Sequence, residues 1–183
     1  MLSVRRRTLA LGLLLTAGPL VGLSASQDAH EADIKASFLY NFARFAVWPA
    51  EAVPPGAPLT FCVLGDWFVA QSLEKTIQRK TIDGRALIVA RLKDNSALGS
   101  CHMVYAGRVD KARALELLGA VDGMAVLTVS DLDTFTELGG TASFFVDDEN
   151  RMRFIVNMDS ARRSKVQLSA QLLRLAVAAD RKD

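Results

Sequence analysis

Apolar positions recur at helical spacing across residues 31–48. Ile34, Phe38, Phe42 and Phe45 fall on one stripe, and Leu39, Ala43 and Ala46 widen it. The pattern predicts an amphipathic helix with Lys35 and Arg44 near its polar side. Pro49 is the predicted stop, because the residue before a proline is pushed out of the helical region. Pro54, Pro55 and Pro58 then form a stiff connector.

Beyond it the period changes. Leu59–Leu64 is a short apolar run closed by Gly65, the signature of a buried strand. Asp66 is placed to cap a helix carrying Phe68, Leu73 and Ile77. A turn at Asp83-Gly84 leads into a second strand, Arg85–Leu92, and residues 102–106 read as a third. Asp110 is placed to cap a helix running through Leu118, and residues 124–129 read as a fourth strand. Strands alternating with helices at this spacing predict an α/β fold, a mostly parallel sheet with helices on both faces. Residues 141–146 and 152–157 flank the polar turn at residues 147–150 and predict an antiparallel hairpin at the sheet edge. A long final helix is expected last. Val166, Ala170, Leu173 and Val177 would form one stripe, and Leu168, Leu172, Leu175 and Ala179 a second.

The N-terminus changes the setting. Arg5-Arg6-Arg7 precedes an almost wholly apolar stretch over residues 9–23, and Ser24-Ala25-Ser26 offers small residues for cleavage. This is the layout of a secretory signal, and the stretch falls short of the roughly 20 residues that span a bilayer. The expectation is a signal peptide over residues 1–25 and one domain over 26–183, located in the periplasm. An uncleaved N-terminal anchor is the alternative. The net charge of +2 is more than accounted for by the three leader arginines. The remainder lacks the basic surface that nucleic-acid binding needs. In an oxidising compartment the two cysteines, Cys62 and Cys101, are expected to be joined, with free thiols as the alternative. They fall in the first strand and at the start of the third, which can lie side by side in a doubly wound sheet.

Catalytic equipment is scarce. With only two histidines, His30 and His102, a metal site or catalytic triad is hard to assemble, and no phosphate-binding glycine motif is present. The chain is expected not to be an enzyme and to carry no cofactor or metal. Gly65-Asp66-Trp67 and Ser130-Asp131 would share the carboxyl edge of the sheet, where α/β folds gather ligands. A small polar pocket with Trp67 and Phe135 as apolar walls is one reading. Simple helix capping and turn tightening by the two aspartates is the other. Tyr40 and Trp48, at the margin of the first helix, are candidate contacts for a partner.

Taken in order, these segments resemble the YfiR family of small periplasmic proteins. The resemblance rests on KASFLYNFARFAVWP at 35–49, FCVLG at 61–65, Cys101 and VLTVSD at 126–131. Gly139-Gly140, NRMRFIVN at 150–157, SAR at 160–162 and LSAQLL at 168–173 complete it. It implies a regulator that binds the periplasmic sensor domain of an inner-membrane diguanylate cyclase and holds it inactive, lowering cyclic-di-GMP. It also implies an outer-membrane lipoprotein as a sequestering partner and a stabilising disulfide between Cys62 and Cys101. A second copy of the chain is a further candidate partner. Some members carry another cysteine pair towards the hairpin; here Thr136 and Ser143 stand in that neighbourhood.

Overall fold

A computed structural model describes residues 22–177. The leader arginines and most of the expected signal peptide lie outside them, as does Ala179. Helix α1 (Gly22–Arg44) leads into a two-residue strand β1 (Ala46–Val47), then β2 (Leu59–Leu64) and α2 (Trp67–Ile77). Next come β3 (Thr81–Ile82), β4 (Arg85–Leu92), a 3-10 turn (Asn95–Ser100), β5 (Met103–Ala106) and α3 (Lys111–Ala120). Strands β6 (Leu127–Ser130), β7 (Ala142–Val146) and β8 (Met152–Val156) follow, then α4 (Met158–Arg163), β9 (Gln167–Leu168) and α5 (Ala170–Leu173).

The sheet has seven strands in the order β3-β4-β2-β5-β6-β7-β8, parallel from β4 to β7 and antiparallel at both margins. Parallel strands buried on both faces are largely apolar on both, and β2 and β5 follow this, while β6 turns buried Thr128 and Ser130 to one face. Phe61 and Val63 of β2, Met103 and Tyr105 of β5, and Phe144 of β7 face the larger core under α1 and α2. Cys62, Leu64, Val104 and Ala106 face a smaller core with Leu98, Ala114, Leu117 and Phe135. Helices therefore cover both faces. Cys62 and Cys101 are joined, with Cα atoms 5.7 Å apart, and the bridge lies in the smaller core. Asp66 and Asp110 cap α2 and α3, their carboxylates accepting from Val69 and Arg113 backbone N–H groups.

Four expectations are corrected. Helix α1 ends at Arg44, not beside Pro49, because Ala46–Val47 pairs antiparallel with Gln167–Leu168 and the Ser169 N–H donates to the Phe45 carbonyl. Lys35, expected on the polar side, is buried at 5% exposure. The fourth strand begins at Leu127 rather than three residues earlier. The long final helix is absent, and α5 has only four residues. Asn157 caps the short α4, and Lys165 adopts a left-handed φ of 57° that stops it. Pairing with β1 then takes Gln167 and Leu168, and Val177 bridges back to β8. Tertiary pairing outweighs a helical period here.

Candidate functional site

Strands β2, β5 and β6 end side by side, and their carboxyl ends carry Gly65-Asp66, Gly107-Arg108 and Ser130-Asp131. The loops touch. Gly65 sits at φ 83°, and a Cβ there would lie 2.2 Å from the Gly107 carbonyl oxygen, so only glycine fits. Ser130 holds its own loop by donating to the Ala106 carbonyl at 2.6 Å and accepting from Leu132 N–H at 3.1 Å.

Helix α1 crosses this edge and closes it with charge. The Lys35 ammonium lies 2.7 Å from Asp131 and 2.6 Å from Glu31. The same Asp131 carboxylate accepts the Tyr105 hydroxyl at 2.9 Å and the Arg108 backbone N–H at 3.2 Å. The Arg108 guanidinium then bridges Asp66, at 3.3 Å, to Asp28 of α1, at 3.0 Å. Arg108 holds a left-handed φ of 55°, a strained geometry for a residue with a Cβ. That backbone turn aims its N–H at one aspartate and its side chain at the other. The two aspartates singled out in the sequence therefore meet through Arg108. Neither is an open ligand group, and Asp66 also acts as the cap of α2.

Burial alone would raise the Asp131 carboxyl, but hydrogen bonding and charge from Lys35 outweigh it and hold it below the ordinary carboxylate value. Burial likewise opposes the charged form of Lys35, and bonding to Asp131 and Glu31 reverses it, so the ammonium is held above its ordinary value. Tyr105 is pushed well up, first by burial and then by Asp131. The result is a fixed ion pair with a neutral phenol beside it. A groove of about 240 Å³ flanks the pair, with Glu31, Lys35 and Asp131 as its polar side and Phe144, Phe145 and Met152 as its apolar side. Among the described residues, no three His, Cys, Asp or Glu side chains are grouped to hold a metal. Among them also, no helix is long and apolar enough to cross a membrane.

The other candidates lie elsewhere. Phe135, expected as a pocket wall, is instead fully buried in the smaller core and packs so tightly on Gly140 that a Cβ there would be 2.2 Å from its ring. Trp67 is 58% exposed, and the Arg91 guanidinium sits 3.8 Å from its ring centroid. Tyr40 is half-buried, with Lys80 4.5 Å from its ring centroid. Trp48 is half-buried and donates its indole N–H to the His102 carbonyl at 3.0 Å, which fixes it against the body of the protein. Sequence reasoning missed Lys35, Tyr105 and Arg108. Lys35 had left a trace: it lies three residues after Ala32 and four before Leu39, inside the buried stripe. Arg108 follows a predicted strand at the same edge that singled out the aspartates.

Among solved structures, the chain is similar to a conserved domain protein from Vibrio cholerae O1 biovar El Tor. Identity is 13%, coverage is 80% of this chain and 59% of that one, and the TM-score is 0.48. The chain thus spans about three-fifths of that relative's length. The sequence profile is more specific. It matches residues 32–177, from the first buried alanine of α1 to the bridge that ties Val177 to β8. On that match the chain belongs to the YfiR/HmsC-like family.

Proposed function

We propose that this protein is an exported regulator that binds the periplasmic sensor domain of an inner-membrane diguanylate cyclase and holds it inactive. The observation that carries the reading is family membership across the described core. The internal bonding of the carboxyl edge supports it, since Asp66 and Asp131 both hold the chain's own groups, Asp66 accepting from Val69 N–H and Arg108 and Asp131 from Lys35, Tyr105 and Arg108 N–H. Exposed Trp67 and half-buried Tyr40 are the sequence candidates most available for contact. On this reading residues 1–25 are a cleaved signal, residues 26–183 act as one domain, and an outer-membrane lipoprotein competes for the repressor.

Deleting the gene should raise cyclic-di-GMP in cells that express the cognate cyclase. Unchanged levels under those conditions overturn the proposal. A second reading, a small-molecule input, is favoured by the groove beside Lys35 and Asp131. It predicts that substituting Met152 at the groove's apolar side alters ligand response while leaving repression without ligand intact.

A further inference from the structure

The margin of the sheet at β4 is open. Strand β4 has eight residues, but β3 pairs only with Arg85 and Ala86. From Leu87 to Leu92 the strand pairs with β2 on one side, and no backbone partner is present on the other among the described residues. An unpaired strand margin presents alternating N–H and carbonyl groups that are a template for another strand. The opposite margin is shorter and is covered at one point, where Val177 N–H donates to the Phe154 carbonyl on β8. The open margin is also apolar, reading Leu87, Ile88, Val89, Ala90, with Ile88 45% exposed and exposed Trp67 beside Arg91.

Its surroundings are basic. Arg79, Lys80, Arg85, Arg91 and Lys93 lie on or next to β3 and β4. Among the described residues, of these five only Arg91 has a carboxylate within ion-pair distance, Glu74 at 2.7 Å; Lys80 lies over the Tyr40 ring, and Arg85 donates to the Pro54 and Ala57 carbonyls. Asp94 caps the 3-10 turn and its charge acts on Lys93 and Arg113, so the excess of positive charge is greatest at the Arg79, Lys80 and Arg85 end. Asp83 occupies the β3–β4 turn at a left-handed φ of 50° and, among the described residues, has no cation within ion-pair distance. Antiparallel pairing of β4 with a second β4 would set the Arg85 end of each copy against the Arg91–Lys93 end of the other, placing like charges together. A strand bearing acidic side chains meets the opposite situation.

We propose that the outer edge of β4 is a docking site for an extended segment of a partner protein, added as a further strand, with apolar residues over Ile88 and acidic residues facing the flanking cations. This rests on the reading that the chain acts by protein contact. It names the surface and the kind of segment.

The test uses the oxidised protein and a fluorescein-labelled peptide, Val-Glu-Val-Glu-Val-Glu-Val. Fluorescence anisotropy should show binding at least about tenfold tighter than for the same peptide with Lys replacing Glu, from charge complementarity. The fully N-methylated acidic peptide should not bind. Amide hydrogen exchange should slow within residues 87–92, and Ile88→Thr, which keeps the β-branch and adds no charge, should weaken binding about fivefold through lost apolar contact, with a melting temperature close to that of the parent protein. Equal binding by the N-methylated peptide, protection confined to another segment, or no binding at millimolar peptide overturns the proposal. So does a homodimer in sedimentation whose protected segment is β4. Because these readouts need no cyclase, the docking site can fail while the cyclic-di-GMP phenotype of the deletion stands.

Discussion

Lys35 is the residue whose environment departs furthest from its type. A lysine on an amphipathic helix is ordinarily solvated, yet this side chain is 6% exposed and ends on Asp131. Removing one member of such a pair strands the other, so Lys35→Met should destabilise the fold by about 3 kcal/mol in urea unfolding. Glu31 is half exposed and adds little. A loss below about 0.5 kcal/mol would show the pair to be dispensable. The same contacts set a pH dependence. Asp131 titrates lower in the fold than in the unfolded chain, so its stabilisation is complete above the unfolded value of about 3.9 and is lost as pH falls through the folded value. Lys35 and Tyr105 are raised, so their contribution is complete below about 10 and is lost in strong alkali. In Asp131→Asn the acid limb should flatten to the shallow slope left by Asp94 and Asp147, whose carboxyls local hydrogen bonds also hold low, measured as denaturation midpoint between pH 5 and pH 2. An unchanged acid limb would remove Asp131 from the account. Gly140 makes a second test at this scale. Gly140→Ala drives a methyl into the Phe135 ring and should cost about 1–3 kcal/mol by overpacking, read from thermal unfolding. A neutral effect would mean the ring can shift at no cost.

Among the elements, α1 carries both the charge closure and the aromatic core. Phe42 stacks on Phe144 with ring centroids 5.7 Å apart and meets Phe154 edge-on at 4.8 Å. Phe42→Ala should therefore cost about 3–5 kcal/mol, and a smaller loss in chemical denaturation would show that α1 settles into the space. Short strands and caps were legible because their signals are local. Leu59–Leu64 needed only apolar residues and Gly65, and Asp66 and Asp110 needed only their place before a helix. The chain after Asn157 was not legible, since its helical period is real but its fate depends on Ala46–Val47, over a hundred residues earlier. The site divides the same way. Asp66 and Asp131 could be read from their strands, whereas Arg108 acts through a left-handed backbone turn that no residue type announced.

For the whole molecule, the disulfide ties Cys62 of β2 to Cys101 at the end of the 3-10 turn, just before the neighbouring β5, across 39 residues of sequence, a span that contains α2, β3, β4 and the 3-10 turn. By loop-closure entropy such a bridge stabilises by about 4 kcal/mol, acting on the unfolded chain. It opposes only those openings that separate β2 from β5. If the β4 margin loosens while β2 and β5 remain paired, the ends of the span are already held and the bridge adds nothing. Reduction should therefore lower the guanidinium midpoint and weaken amide protection in β2, β5 and β6, which exchange through global unfolding. Protection at β3 and at the β4 amides bonded to β2 should change much less, because those amides open with the sheet margin and not with the whole fold. Native-state hydrogen exchange on the oxidised protein and on Cys62→Ala/Cys101→Ala separates the cases. An unchanged midpoint would refute a stabilising bridge. Equal loss of protection at β4 would mean that this margin opens only with the whole fold, and a partner strand would then meet a rigid edge.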